Sequence, residues 1–116
     1  MTSLPPEVQQ ILVQIEQLRQ QYQIVQSQRI NLEARYNEVK NALSELEKSQ
    51  EKSVYKSIGA ILVRKNKDEV IKELKEEKEL LEVRINAVKK QEQSISDKMR
   101  ALENKFKSLM GAQKNA

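Results

Sequence analysis

Val54-Tyr55-Lys56-Ser57-Ile58-Gly59-Ala60-Ile61-Leu62-Val63-Arg64-Lys65 lies near the middle of the chain and decides how the rest is read. It is the only segment rich in β-branched and aromatic residues, and it carries one of the two glycines. β-Prone runs flank Ser57-Ile58-Gly59, which reads as the turn of a hairpin, with Gly59 supplying a positive φ. The other reading is a plain loop between two helices. Ile61-Leu62-Val63 argues against it, because such a loop has no use for consecutive large aliphatic side chains. A lone two-stranded hairpin is marginal in water. Nothing else in the chain offers a strand, so these strands require partners on other chains.

Outward from this stretch, both directions read as long helix. Pro6 suits a first helical position, and Glu7 complements the positive end of the helix dipole. From Val8 a heptad runs without a slip: Val8, Ile15, Tyr22, Arg29, Tyr36 and Leu43 at a, and Ile11, Leu18, Val25, Leu32, Val39 and Leu46 at d. Only Arg29 breaks the apolar stripe. The period alone predicts a coiled-coil arm over residues 6–50, on the order of 65 Å long at the helical rise.

Beyond the hairpin, Asn66 followed by Glu69 has the form of a helix cap with a carboxylate at N3. A second heptad follows, with Ile71, Lys78, Ile85, Glu92, Met99 and Phe106 at a, and Leu74, Leu81, Val88, Ile95, Leu102 and Leu109 at d. Lys105 and Lys107 suit the negative end of this helix, and Gly111 suits a C′ stop. The second arm is thus expected over 67–110, with the last residues frayed. A short connector between arms of matching length turns the chain back on itself, so the arms should pack antiparallel. Setting Leu43 against Leu74 places Tyr36 opposite Leu81, Ile15 opposite Leu102 and Ile11 opposite Phe106. The same register brings Glu92 within about one helical turn of Arg29. The two polar a residues either answer each other and fix the register, or turn separately to water.

Composition sets the outer bounds. At 116 residues, 38% hydrophobic, 3% aromatic and 33% charged, the chain suits solvated helices better than a compact globule. It contains no run of about 18 apolar residues, and Met1-Thr2-Ser3-Leu4-Pro5-Pro6 lacks the basic and apolar regions of a signal peptide. Without histidine or cysteine there is no thiolate metal site, no disulfide framework and no base for a Ser or Thr nucleophile. No phosphate-binding glycine loop is present. No enzyme activity, catalytic residue, cofactor or metal is expected. The formal charge is +4, and residues 51–116 hold 16 basic against 11 acidic side chains. Acidic residues are interspersed there, which gives a mixed solvated face rather than a nucleic-acid stripe. Glu73, Glu76, Glu77 and Glu79 read as ordinary helix surface. Arg64-Lys65-Asn66-Lys67 either binds an anionic partner or solvates the strand exit.

At this point the residues resemble a known family. Val54-Tyr55-Lys56-Ser57, Gly59, Ile61-Leu62-Val63-Arg64 and Lys67-Asp68-Glu69 are similar to the beta class of prefoldin subunits, as are Val83-Arg84-Ile85 and Lys90-Gln91-Glu92. The likeness covers nearly the whole chain, and its compact ends resemble archaeal members. It implies a mainly α fold: a long antiparallel two-helix coiled coil whose helices are joined by a β-hairpin that assembles into an intersubunit β-barrel. Residues 1–116 would form one such domain, with the hairpin at 54–65.

The implied function is an ATP-independent, cytoplasmic holdase. Two alpha-class and four beta subunits would share a barrel platform through Val54, Tyr55, Ile58, Gly59, Ile61, Leu62 and Val63. The coil tips would hold unfolded polypeptides and pass them to a group II chaperonin. Candidate client contacts are Leu4, Val8, Ile11, Leu12, Ile15, Leu102, Phe106, Leu109 and Met110. Six of these are also seam positions that would close the tip; Leu4, Leu12 and Met110 lie off the stripe and suit exposed grip. No nucleic acid and no membrane are expected among the partners. The competing readings are a structural coiled-coil scaffold with one fixed partner and an RNA-binding helical arm.

Overall fold

The structure, a computed structural model, describes residues 4–114, with side chains to Ala112. The order is α1 (Pro6–Lys48), β1 (Ser53–Ile58), β2 (Ile61–Asn66) and α2 (Lys67–Lys114). Two compact units result, Met1–Arg29 with Ala87–Ala116, and Ile30–Asn86.

α1 starts where proline allows. The Gln9 backbone N–H donates to the Pro5 carbonyl at 3.0 Å, so Pro6 occupies the first helical position, where its missing N–H costs nothing. The Gln9 side-chain amide donates to the Leu4 carbonyl at 2.7 Å and fastens the chain before the helix. α1 ends at Lys48, two residues short of the expected 50, where Ser49 N–H is shared between Glu45 and Leu46 carbonyls at 3.1 and 3.3 Å.

α2 opens on the expected cap. Asn66 Oδ1 accepts from the N–H groups of Asp68 at 2.9 Å and Glu69 at 3.4 Å. Its far end differs from the expected one. Gly111 does not adopt a positive φ and the helix continues through it to Lys114. Ala112 and Gln113 favour helix, which outweighs one mid-helix glycine. The expected fraying of Gln113 and Lys114 is not what the backbone shows, and Asn115 and Ala116 lie outside the described residues.

The hairpin turn sits one residue later than expected. Gly59 has φ +58° and no other described residue has a positive φ, so Gly59-Ala60 carries the sign pattern of a type II′ turn. Ser57 and Ile58 are extended in β1, paired with Leu62 and Ile61.

In each unit the a and d residues form the seam. In Ile30–Asn86, Val39, Leu43 and Leu81 are buried, with Leu32, Tyr36, Ile71 and Leu74 packed on them. Val70, off the stripe, is also buried. In the other unit Val8, Ile11 and Ile15 are buried. The cross-seam pairs Glu7–Lys105 and Arg29–Glu92 run in opposite sequence directions within it, as antiparallel packing requires. No helix among the described residues is long and apolar enough to cross a membrane.

Candidate assembly and binding surfaces

β-Strand alternation divides the hairpin into two faces. Val54/Lys65, Lys56/Val63 and Ile58/Ile61 pair on one; Tyr55/Arg64 and Ser57/Leu62 on the other. The first face turns toward α2. Glu73 on that helix accepts from Lys56 Nζ at 3.1 Å and from Lys65 Nζ at 3.4 Å, and Val54 and Val63 beside them are half-buried. Glu73, read from sequence as ordinary surface, is therefore the clamp that joins both strands to the helix. The hydrogen bond and charge of Lys56, then those of Lys65, hold its carboxyl below the usual carboxylate range.

The basic run is consumed in the same junction. Arg64 donates to Ser53 Oγ at 3.2 Å. Lys67 donates its backbone N–H to the Lys52 carbonyl at 2.9 Å and its ammonium to the Ser49 carbonyl at 2.8 Å. A cation thus meets the orphan carbonyls at the C-terminus of α1. Of the two sequence readings of Arg64-Lys65-Asn66-Lys67, local bracing is the one these bonds support.

The apolar tip of the hairpin stays bare. Tyr55, Ile58, Ile61 and Leu62 are 70, 47, 62 and 70% exposed. Among the described residues, neither long edge of the two-stranded sheet has a partner strand. Beside β1 a groove of about 460 Å³ runs over Ala42, Leu46, Val70 and Leu74. Four large apolar side chains and two open strand edges on one hairpin leave an unusual amount of sticky surface uncovered.

The expected client contacts sort into three groups. Val8, Ile11 and Ile15 are seam side chains, only 1, 3 and 7% exposed, and have no surface to offer in the folded coil. Their a and d spacing puts them there. Leu102, Phe106, Leu109, Met110 and Leu4 are half-buried, and Leu12 alone of the nine is exposed. The sequence reading missed Val13 and Ile24, both exposed apolar residues; the available signal was their position off the a and d stripe.

Inside the seam, Arg29 and Glu92 form a hydrogen-bonded ion pair. Glu92 is the one buried polar residue among those described. In the other unit Arg35 makes a two-pronged pair with Glu77, at 2.7 and 3.0 Å, which raises its already high pKa. Tyr36 donates its hydroxyl to Glu82 at 3.0 Å, and that bond pushes the phenol pKa up.

Comparison with known proteins agrees with this architecture. Residues 9–113 match the family profile described as prefoldin subunit. The chain is 41% identical over 114 residues to prefoldin subunit beta of Archaeoglobus fulgidus, covering 97% of this chain and 98% of that protein. It is 41% identical over 111 residues to prefoldin subunit beta of Pyrococcus furiosus, covering 95% of each. The crystal structure of the prefoldin beta subunit from Thermococcus strain KS-1 superposes with a TM-score of 0.85 at 38% identity, over 94% of this chain and 96% of that one. With helices, hairpin and sequence all in agreement, the chain belongs to the prefoldin subunit family, in its beta class.

Proposed function

We propose that this chain is the beta subunit of a cytoplasmic heterohexamer, two alpha-class and four beta subunits, that holds unfolded polypeptides without ATP and passes them to a group II chaperonin. The observation that carries the reading is the bare hairpin: Tyr55, Ile58, Ile61 and Leu62 exposed on a sheet with two open edges. Pairing these edges with neighbouring hairpins into a barrel would remove both liabilities. Val54, Val63 and Gly59 serve the same platform by seating and turning the strands. Exposed Leu12 acts as an accessible grip near the end of the coil, together with the half-buried Leu4 and Met110. Val8, Ile11, Ile15, Leu102, Phe106 and Leu109 hold that end closed and join the grip when it opens. Several weak grips in one assembly reach useful affinity through effective concentration.

A substitution at Ile61 tests the assembly. Ile61→Asp puts a charge where the barrel interior should be dry, which costs several kcal/mol per site. Mixed with an alpha-class partner, the variant should fail to form a complex of hexameric mass while its helical circular dichroism is retained. Formation of the full hexamer would remove the hairpin from the interface. In the parent hexamer, Leu4→Ser with Met110→Ser should weaken suppression of client aggregation, followed by light scattering. Undiminished suppression would move the grips away from the chain ends.

A further inference from the structure

We propose that one flank of the coil in the unit Met1–Arg29 with Ala87–Ala116 is a binding groove for an extended, uncharged stretch of polypeptide. The proposal rests on the holdase reading and places a grip along the coil rather than at its ends.

The g positions of the heptad carry the argument. Glu7 and Lys105, both at g, pair across the seam at 3.6 Å. In the other unit Arg35 and Glu77, also at g, pair at 2.7 Å. Such pairs act as straps over the apolar seam. The next g positions inward from Glu7 and Lys105 are Gln14 and Gln21 on α1, and Lys98 and Gln91 on α2. Gln14 and Lys98 line one groove together; Gln21 and Gln91 line another. None of these four side chains makes an ion pair or hydrogen bond among the described residues.

The straps are therefore missing, and the seam is open from this side. The grooves measure about 430 and 400 Å³ and share Gln21 and Lys98, so they are continuous. Their floor is the outer side of Leu18 and Leu102, then Val25 and Ile95. Seven residues line each, twelve in all, and Lys98 is the only charged one in a chain that is 33% charged. The opposite flank of the same unit shows the contrast: Arg29, Lys89 and Glu92 are three of the six residues around its hollow.

A rim of free amides over an apolar floor selects its occupant. Each glutamine amide both donates and accepts, which matches the open N–H and C=O groups of an extended backbone. A helix from a second copy has already satisfied its own backbone and would cover these amides without answering them. Nucleic acid needs several cations, and one is present. From Gln14 to Val25 the helix rises about 17 Å. An extended segment spans that distance in about five residues, with alternate side chains facing the floor.

The test restores the straps. Gln14→Glu faces Lys98, and Gln21→Glu with Gln91→Lys builds a pair like Glu7–Lys105. All three positions are exposed, so helix content and melting should not fall. The probe is a dye-labelled peptide of alternating leucine and asparagine, followed by fluorescence anisotropy on the assembled protein. The strapped variant should bind it about tenfold more weakly, a loss of about 1.4 kcal/mol. Gln17→Ala with Gln21→Ala, which removes amides without adding charge, should weaken binding in the same direction and decides the matter if the strapped variant misfolds. Equal binding by parent and variants overturns the groove. If the parent still suppresses client aggregation in that case, the holdase reading stands alone. If the peptide binds the groove but the parent suppresses no aggregation, the holdase reading fails and the groove survives. Self-association of the parent that only the strapped variant abolishes, with peptide binding unchanged, assigns the flank to a second copy and overturns the proposal.

Discussion

Arg29 and Glu92 show how one pair of side chains can govern helix choice. Both sit at a positions, where an apolar residue would pack better, and both lie largely inside the seam, 23 and 11% exposed. In a parallel pairing of two α1 helices, Arg29 would meet another Arg29; two α2 helices would bring Glu92 onto Glu92. Pairing α1 with α2 joins opposite charges instead, and the short hairpin between them makes that pairing antiparallel. Arg29→Leu alone should destabilise the chain by about 2 to 3 kcal/mol, the low side for a pair with some solvent access, because Glu92 is left unpaired. Arg29→Leu with Glu92→Leu should be neutral or up to about 2 kcal/mol more stable, but with mixed pairing. Urea titration reads the first effect. Cross-linking between cysteines introduced at Gln21 and Lys98 reads the second, as interchain rather than intrachain products. A double variant that links only within the chain leaves the pair with no role in pairing. Glu73 gives a pH dependence of definite sign. Its folded pKa lies below the ordinary value, so its clamp on Lys56 and Lys65 is present above about pH 4.3 and is lost as pH falls through the folded pKa. Protection factors of the β1 and β2 amides, taken relative to the intrinsic exchange rate at each pH, should fall on acidification in the parent and be already low at neutral pH in Glu73→Gln. Identical protection in the two proteins at neutral pH would show that the clamp holds nothing.

At the scale of elements, the two glycines have opposite meanings. Gly59 stands at φ +58° with no atom within 4 Å of an added Cβ, so any penalty there is backbone conformation alone. Gly59→Ala should cost about 1 kcal/mol. Gly111 lies in continuous α2, also with no atom near an added Cβ. Gly111→Ala should stabilise the helix by about 0.5 to 1 kcal/mol. Denaturant midpoints shifting in opposite directions would establish both; a gain at each position would mean that the turn relaxes around the new side chain. The sequence misplaces both elements for the same reason. A glycine announces conformational freedom without saying whether the chain uses it, and only the neighbours decide. At Gly59 two strands in register demand a two-residue turn; at Gly111 helix-forming residues on both sides do not.

For the whole molecule, the seam is the most legible feature. Every a and d position from Val8 to Leu46 and from Ile71 to Leu109 is at least half-buried, Lys78, Arg29 and Glu92 included. Period alone delivers this, because a stripe repeating every seven residues has one geometric solution on a paired helix. The hairpin is legible because its composition breaks with everything around it. Less legible are the surfaces that depend on which side chains meet across the seam. Burial of Val8, Ile11 and Ile15 follows from their heptad positions, yet each also looks like a suitable grip when judged by residue type. The Glu73 clamp and the amide-rimmed flank require the rotation of each element about its own axis, which a one-dimensional pattern does not contain.

The order of contacts along the chain has a kinetic consequence. Hairpin pairs join near neighbours such as Ile58 and Ile61, whereas Glu7 and Lys105 lie at opposite ends of the sequence. Closing that last pair from an open chain carries the full loop entropy, but closing it after the preceding turns have met adds only a short increment. Folding should therefore nucleate around Gly59 and zip outward. Leu43→Ala should slow refolding, while Ile11→Ala should leave refolding nearly unchanged and hasten unfolding. Stopped-flow circular dichroism separates the two, and the reverse pattern would put the nucleus at the other end of the coil. During synthesis the same order acts as a clock: α1 leaves the ribosome with none of its seam partners yet made, and its apolar stripe stays uncovered until the chain has passed Leu74.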